Sequence, residues 1–277
     1  HEAFEPQQVP GLPEARSVHV VGSAAFVVTA DGAVWGWGDG LLANAGAKGS
    51  VSNDLASPTR MEGLEDVVTI AQGGQAAVAL HSDGSVSGWG TNLTEVLGDQ
   101  DGTELTGIDG LDGVIGIASS QNAELALMAD GTVCAWGDNA HGEFAVGPIG
   151  GQTGRPRAIA GLTDITEVAA GAATGYALDS DGTVLAWGDG ESGALGDGNT
   201  APHISTTPTE VAGLPPAAHV YTNDYSAFVV TLDGELWGWG SSLHIGDAAA
   251  PNGLPVQIPL PGSVLAVGGS HAIVAQR

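Results

Sequence analysis

Two short acidic loops carry the residues best suited to bind a metal ion. Their sequences are GDQDGTELTG (98–107) and GDGESGALGDGN (188–199). Calcium prefers several oxygen ligands, which closely spaced carboxylates supply. The spacing differs from that of an EF-hand loop, and Asp-Gly is also a common turn pair, so simple turns are the alternative interpretation. The candidate calcium ligands are Asp99, Asp101 and Glu104 in the first loop, and Asp189, Glu191, Asp197 and Asn199 in the second.

The sequence contains no strong catalytic motif. It has no G-x-S-x-G, no phosphate-binding glycine loop and no H-E-x-x-H. Its eight histidines occupy unequal places, which argues against a His-ligated metal. Cys134 stands where similar stretches have Trp35, Ser87, Leu185 and Trp237, so we expect a buried, unreactive thiol. A non-enzymatic role is favoured, with no cofactor apart from the possible calcium.

Five side chains are candidates for contact with a partner protein. The stretches DNAHGEFAVGPIGGQTGRPR (138–157) and VYTNDYSAF (220–228) differ most from their counterparts elsewhere in the chain. Tyr and Arg are frequent in protein interfaces, whereas the alternative for Phe144 and Tyr225 is that they fill gaps in the core. The candidates are Phe144, Arg155, Arg157, Tyr221 and Tyr225.

The charge balance limits the kinds of partner. The 277 residues include 32 acidic and 6 basic side chains, a formal net charge of −26. A phosphate backbone needs clustered Lys and Arg to displace its counterions, and apart from the Arg pair around Pro156 the sequence has no such cluster. The charge therefore argues against nucleic acid and anionic membranes as partners. No apolar run is long enough to span a membrane. The charge favours solubility, with attraction of a basic partner protein or of cations as the sharper hypothesis.

The candidate loops belong to a repeat. DGAVWGWGDG at 31–40 returns with changes at 83, 130, 181 and 233, a period near 50 residues. Each unit has two short apolar stretches, then Asp-Gly, a V-x-x-WG stretch, and a segment such as PTRMEGLED. Alternating stretches around Asp-Gly predict a β-hairpin, so each unit is expected to form four antiparallel strands.

Such sheets are predicted to stack radially. A four-stranded sheet cannot bury both apolar faces alone, and a β-propeller buries each face against the next blade. A Trp repeated once per unit is best explained as packing between blades. Trp35 and Trp237 share that face and are also expected in the core. The repeated positions are Trp37, Trp89, Trp136, Trp187 and Trp239.

The unit DGTVLAWGDGESGALGDGNTAPHISTTPTEVAGLPP (181–216) resembles the repeat of the regulator of chromosome condensation family. VLAVGGSHAIVA (264–275) matches the last part of that repeat, with His271 in its His position. The glycine loop is degenerate in the other four units, as in bacterial-type members. The matching residues are Gly182, Val184, Trp187, Gly188, Gly193, Leu195, Gly196, Gly198, Pro208 and Val211.

The resemblance implies a β-propeller, usually of seven blades, and does not by itself imply a function. The family's namesake is an exchange factor for the GTPase Ran, an activity that needs a protruding wedge insertion. No unit here has a long extra segment. Other members are photoreceptors, scaffold domains, or a secreted bacterial inhibitor of β-lactamases that is similar in length.

The ends of the chain predict how the ring closes. The sequence has five V-x-x-WG strands but six copies of the first two strands, the sixth at 264–275. PQQVPGLPE (6–14) resembles the fourth segment of a unit. One domain over 1–277 is expected, with six blades and residues 6–10 beside 271–275, since shared end strands remove exposed edges. A truncated seven-bladed parent is the alternative.

The favoured function is therefore a non-enzymatic, acidic, protein-binding propeller, extracellular or periplasmic, with a secreted inhibitor as one form of it. The alternative is a glycan-binding propeller, or one that uses carboxylates in its central mouth for hydrolysis.

Overall fold

The computed structural model describes residues 8–38, 54–98, 104–241 and 253–259 apart from residues 22, 75 and 146, together with the backbones of 266–268 and 271–273. Residues 99 and 101, two of the predicted calcium ligands, lie outside these ranges. Among the described residues, no helix is long and apolar enough to cross a membrane.

Five four-stranded antiparallel sheets follow one another along the chain, as the repeat predicts, and a two-stranded sheet follows them. In each four-stranded sheet the strands lie side by side in sequence order. The first strands of consecutive sheets are neighbours, as in blades around a common axis. The all-β propeller architecture is therefore confirmed.

The strands are, in blade 1, β1 (Ala15–Val21), β2 (Ala24–Thr29), β3 (Val34–Gly38) and β4 (Leu55–Arg60); in blade 2, β5 (Val67–Gly73), β6 (Ala76–His81), β7 (Val86–Gly90) and β8 (Thr106–Gly107); in blade 3, β9 (Val114–Ser119), β10 (Ala123–Met128), β11 (Val133–Asp138) and β12 (Gln152–Ala158). They continue, in blade 4, with β13 (Ile165–Ala170), β14 (Thr174–Asp179), β15 (Val184–Asp189) and β16 (Ile204–Glu210); in blade 5, with β17 (Ala217–Thr222), β18 (Ser226–Thr231), β19 (Leu236–Gly240) and β20 (Val256–Ile258); and in the last sheet, with β21 (Ala266–Gly268) and β22 (His271–Ile273). A 3-10 turn spans Glu191–Gly193.

Each Asp-Gly pair forms the turn between the second and third strands, as predicted, and the pairs of blades 1 to 4 also join neighbouring blades. In blade 2, the Asp83 carboxylate accepts the Ser85 N–H at 2.9 Å. The Gly84 carbonyl accepts the N–H of Val114, the first residue of blade 3, at 3.1 Å. The same bond recurs at the three other described junctions, so the turn fixes where the next blade begins.

The Trp side chains of blades 2 to 5 pack between blades. We call the face that carries this Trp the leading face of a blade and the opposite face its trailing face. Phe26 on the trailing face of blade 1 lies edge-on to Trp89, with ring centroids 5.6 Å apart. Tyr176 of blade 4 meets Trp239 in the same way at 6.0 Å. The Trp residues at positions 89, 136, 187 and 239 are at most 1% exposed, which confirms the predicted role.

The leading face of blade 1 differs from the other four. The register places Val18, Val20, Trp35 and Trp37 on this face. Val18 and Val20 are 64% and 58% exposed, and both Trp side chains are half-buried. Val220, the counterpart of Val18 in blade 5, is 2% exposed. The leading face of blade 1 is therefore open near the axis.

Two sequence expectations about the core need correction. Trp35 and Trp237 are half-buried and do not belong to the buried core. The Trp237 indole N–H donates to the Glu235 carboxylate at the surface, over 3.2 Å. Both rings lie closer to the Asp-Gly end of the third strand than the buried Trp does. A Trp at this position is therefore partly open to solvent and is not part of the buried core.

The predicted six-bladed closure stays a prediction. β21 pairs with β22 and lies beside β17 of blade 5, as the start of a sixth unit would. Residues 8–10 belong to no strand, and no pairing between them and β22 occurs among the described residues. Residues 6, 7, 274 and 275, which the prediction also names, lie outside the described ranges.

Candidate functional site

The loops that vary between blades gather at one end of the propeller. The connections between first and second strands lie there, at 120–122, 171–173 and 223–225. The long connections after the third strands, such as 139–151 and 190–203, lie at the same end because antiparallel strands reverse direction. We call this end the loop face. The strand framework is alike in every blade, whereas these loops differ.

A cavity of about 220 Å³ opens at the centre of the loop face. Hydrogen bonds join the surrounding loops: the Gln121 N–H donates to Ala172 O at 3.2 Å, and the Ala172 N–H donates to Asp224 O at 2.9 Å. Blades 3, 4 and 5 are thus tied together at the rim. The polar side chains that line the cavity are Ser119, Ser120, Gln121, Thr222, Asn223 and Asp224.

Tyr225 stands next to this cavity and is 49% exposed. Asn223 orders its backbone, because the Asn223 side-chain oxygen accepts the N–H of Tyr225 at 3.1 Å and that of Ser226 at 2.8 Å. An exposed Tyr on a rigid turn offers apolar area and a hydroxyl at low entropic cost. Of the five predicted contact residues, Tyr225 is the one that lies exposed beside the cavity of the loop face, accessible to a partner protein.

Glu124 is a buried carboxyl beside the cavity that the sequence analysis did not identify. It is 0% exposed, and Ser119, which lines the cavity, donates its hydroxyl to Oε2. Oε1 is buried without a hydrogen-bond partner and faces Gly73 of blade 2. Burial raises the pKa of Glu124 to about 8, opposed by the Ser119 hydrogen bond, so the carboxyl is mainly protonated at neutral pH.

The signal for Glu124 is present in the sequence. Its counterparts, opposite the Trp of each blade, are Ala25, Ala77, Gly175 and Ala227. An acidic residue at a position otherwise held by Ala or Gly is a break in the buried part of the repeat.

Histidine–carboxylate pairs occupy the outer loops of blades 3 and 4. The His141 imidazole donates to the Asp189 carboxylate at 3.1 Å. His203 contacts two acceptors, the Ala201 carbonyl at 2.8 Å and the Asp197 carboxylate at 2.9 Å. Because both ring nitrogens face acceptors, the doubly protonated ring is favoured. The pKa of His203 is accordingly raised, first by the Ala201 carbonyl and then by Asp197.

These pairs bear on the predicted calcium ligands of the second loop. Asp189 and Asp197 each bond an imidazole, and each also accepts a local backbone N–H, from Glu191 and Asn199. Across the described ranges, no three His, Cys, Asp or Glu side chains form a group that could hold a metal ion. The structure thus does not bring Asp189, Glu191 and Asp197 together as ligands. In the first loop, Glu104 is exposed, while Asp99 and Asp101 lie outside the described ranges.

The other predicted contact residues lie in three different places. Arg155 and Arg157 are exposed on β12, at the outer edge of blade 3. Arg155 lines a cavity of about 360 Å³ together with Asp109 and Pro156. Tyr221 is half-buried on the trailing face of blade 5, where it packs beside Phe228.

Phe144 is 5% exposed and belongs to the core between blades 3 and 4, so the gap-filling alternative describes it correctly. HGEF (141–144) is a degenerate copy of SGAL (192–195), which places Phe144 at the position of Leu195. The loop also keeps its structural role, because Glu143 O accepts the Trp187 N–H at 2.8 Å, as Ala194 O accepts that of Trp239 at 2.9 Å. An alignment of HGEF with SGAL shows, from the sequence alone, that Phe144 occupies the position of Leu195.

Cys134 is half-buried, where the sequence predicted full burial. Burial and the nearby Asp130 charge both raise the pKa of its thiol. A raised pKa lowers the fraction of reactive thiolate, which agrees with the expected low reactivity.

Comparison with known proteins identifies the repeat. The family model for the regulator of chromosome condensation (RCC1) repeat matches residues 181–230, and a second RCC1 repeat model matches 165–194. The Arabidopsis thaliana RCC1 domain-containing protein RUG3, mitochondrial, is 30% identical over 80% of this chain and 41% of its own length. Protein pim1 of Schizosaccharomyces pombe is 30% identical over 92% of this chain and 42% of its own. The chain spans less than half the length of these two relatives.

Solved structures show the same fold. Human WBSCR16 matches with a TM-score of 0.79 and 20% identity, over 92% of this chain and 69% of that chain. Prp20p from Saccharomyces cerevisiae, described with its binding properties to Gsp1p and histones, matches with a TM-score of 0.77 and 20% identity, over 89% and 64%. Repeat, architecture and relatives agree, and the chain is an RCC1-repeat β-propeller.

Proposed function

We propose that this propeller is a non-enzymatic binding protein whose loop face contacts a partner protein of net positive charge. The observation that carries the proposal is the pairing of an exposed Tyr225 with a polar cavity on a rigid rim. The framework holds these residues in place, so binding does not require ordering of a flexible loop.

Charge supports the choice of a basic partner. A net charge of −26 on a chain with 6 basic side chains produces a negative potential that speeds encounter with cations and repels acidic proteins. Asp224 lines the cavity and is exposed, so charge and cavity coincide at the centre of the loop face. Because such steering is screened by salt, the association rate should depend strongly on ionic strength.

The relatives suggest a first probe. The structure of Prp20p was described together with that protein's binding to Gsp1p and histones. Histones are basic proteins, so purified histones are a suitable positive probe for this chain. Purified Gsp1p would test the competing possibility that this chain recognises the same partner as Prp20p.

The test is biolayer interferometry with the immobilised 277-residue chain. The probes are purified histones, other basic proteins and acidic proteins of similar size, each at low and at physiological salt. We expect binding of basic proteins only, with an association rate that falls steeply with salt. Failure of every basic protein to bind at low salt would contradict the proposal.

Variants of two loop-face residues test whether this face is the binding surface. Tyr225→Ala and Asp224→Asn should weaken binding, while Leu232→Ser serves as the matched control. Leu232 is 69% exposed and lies in the Asp-Gly turn at the opposite end of blade 5. Equal affinity of Tyr225→Ala and the unmodified chain would place the binding surface elsewhere.

A further inference from the structure

Two hydroxyl groups that line the central cavity of the loop face have already donated their protons to internal acceptors. The Ser119 hydroxyl donates a hydrogen bond to the buried carboxyl of Glu124. The Thr222 hydroxyl donates one to Asn223 O at 2.7 Å. A hydroxyl has a single proton to donate, so each of these groups can only accept a further hydrogen bond. Both side chains therefore act as acceptors towards a group that enters the cavity.

Further acceptor oxygens gather where blades 4 and 5 meet at the cavity. Gly171 of blade 4 has no side chain there. A Cβ atom at that position would lie 3.0 to 3.2 Å from three oxygens of blade 5, namely Asn223 O, Asp224 O and Thr222 Oγ1. The two carbonyls each accept one hydrogen bond, from the Thr222 hydroxyl and the Ala172 N–H, and a carbonyl oxygen has a second lone pair to offer.

Asp224 supplies the charged group of the cavity. Its carboxylate is exposed and makes no hydrogen bond or ion pair within the described parts of the chain, whereas Asp189 and Asp197 are each paired with a histidine. The described residues that line the cavity include no Lys, Arg or His. An unpaired carboxylate among uncharged acceptors favours a cation that carries hydrogen-bond donors.

The size of the cavity and the spread of its acceptors favour one particular cation. A volume of about 220 Å³ is below the range of about 300–1,000 Å³ that is usual for pockets that hold a whole small molecule, so a single side chain is the better match. The ammonium group of lysine is compact and has three donors that rotate, whereas the planar fork of arginine needs two acceptors side by side. The acceptors here are spread over blades 3 and 5.

We propose that this cavity receives the side chain of a lysine that protrudes from the partner protein. The ammonium group donates to the Asp224 carboxylate and to the acceptor oxygens of the lining, while the aliphatic stem lies against Tyr225 at the rim. The inference rests on the function proposed above, because it names the group of a basic partner that the loop face recognises.

Peptide titrations followed by amide NMR test the proposal. The probes are acetyl-Gly-Ser-Gly-Lys-Gly-Ser-Gly-amide and the same peptide with trimethyllysine or norleucine instead of lysine, each added to the isotopically labelled 277-residue chain. Trimethyllysine keeps the positive charge and loses every N–H donor, and norleucine keeps an apolar stem without a charge. We expect the lysine peptide to bind saturably and to shift the amide signals of residues 223–225. The trimethyllysine peptide should bind at least about tenfold more weakly, and the norleucine peptide should not bind. Equal binding of the lysine and trimethyllysine peptides, or unchanged signals at residues 223–225, would overturn the proposal.

A matched pair of variants assigns the site without a change in net charge. Thr222→Val removes one acceptor and keeps the shape of the side chain, so it should weaken binding of the lysine peptide by about fivefold to tenfold. Thr209→Val should leave binding unchanged. Thr209 also donates its hydroxyl to a backbone carbonyl, Thr207 O at 3.2 Å, but lies on β16 at the outer edge of blade 4. The amide spectrum reports whether each variant is folded. Equal binding by folded Thr222→Val and the unmodified chain would show that the lysine binds elsewhere.

These titrations and the interferometry with whole proteins can fail separately. A chain that binds basic proteins but does not distinguish lysine from trimethyllysine keeps the proposed function and loses the lysine site. A chain that binds the lysine peptide at residues 223–225 but binds no basic protein keeps the site and loses the proposed function.

Discussion

The leading faces of blade 4 and blade 1 have related sequences and opposite degrees of burial. Trp187 of blade 4 is 0% exposed, packs into the core of blade 3 and donates its N–H to Glu143 O at 2.8 Å. Trp37, at the same position in blade 1, is half-buried beside two exposed valines. The difference shows that the V-x-x-WG strand buries its Trp only where a preceding blade supplies an apolar trailing face and a carbonyl acceptor.

Replacing each of these two Trp side chains by Ala should give the largest difference in stability between the buried and the open leading face. Trp187→Ala should lower the free energy of unfolding by about 3–5 kcal/mol, because it leaves a cavity and an unpaired Glu143 carbonyl. Trp37→Ala should cost less than about half of that, since solvent already reaches the ring. Urea unfolding followed by circular dichroism measures both. Equal losses would mean that the leading face of blade 1 is covered in solution.

The pH dependence of stability should differ between a buried seam and the open face. The folded pKa of Glu124, about 8, lies above the ordinary value of 4.5. Its contribution to stability is therefore complete below about pH 4.5 and is lost as pH rises through about 8. Between about pH 6 and pH 9 the unmodified chain should lose roughly 3 kcal/mol that Glu124→Gln retains.

Ala25→Glu provides the matched control for Glu124. It places a carboxyl opposite Trp37 at the equivalent position on the open face. Because solvent reaches this face, the added carboxyl should introduce no further loss of stability over the same pH range. An additional loss of comparable size in Ala25→Glu, beyond that of the unmodified chain, or an unchanged pH profile for Glu124→Gln, would contradict the difference in burial.

In the described parts of the loops that accept the Trp N–H groups, three non-glycine residues have a positive φ: Glu95, Ala145 and Ser192. Glu95 is the one that stands where the next two blades have glycine. Glu95 has a φ of +60°, where Gly142 and Gly193 stand in the next two blades. Glu95→Gly should raise the free energy of unfolding by up to about 1 kcal/mol, because glycine adopts this conformation without a steric cost. Ala194→Gly, at a position with a φ of −60°, should be destabilising instead. Thermal melts of both variants test the assignment, which fails if Glu95→Gly melts lower than the unmodified chain.

Net charge should have the smallest effect, and it should act on all blades alike. Screening of a −26 charge by sodium chloride should raise the melting temperature by about a few degrees. Trp37→Ala should show the same increase, since repulsion among surface charges does not depend on the seam. A flat or falling melting temperature would show that local ion pairing governs the salt response.

Sequence reasoning predicts the framework well because its signals are local. Asp-Gly turns, alternating strands and the repeated Trp each depend on a few neighbouring residues, and they predict five four-stranded blades. What covers a face depends on another blade, so identical ten-residue motifs cannot reveal that Trp37 is half-buried.

The candidate site was predicted less completely. Tyr225 was found because it replaces small residues in an exposed turn. In the sequence, Phe144 resembles a contact residue because the degenerate HGEF loop hides its equivalence to Leu195. Glu124 was missed because a single Glu for Ala exchange lies within a normal strand pattern, and its pKa depends on packing between blades.

Thiol labelling at two equivalent positions tests whether the leading face of blade 1 is open to solvent while that of blade 2 is buried. Val18→Cys on the open face and Ile70→Cys on the buried leading face of blade 2 are made in a Cys134→Ser background, and each is reacted with a maleimide under native conditions. Val18 is 64% exposed and Ile70 is 5% exposed. We expect the Val18→Cys thiol to react at least about 100-fold faster, because the thiol at position 70 reacts only when the contact between blades 1 and 2 opens. Equal protection of the two thiols would show that the leading face of blade 1 is covered, and would contradict the account.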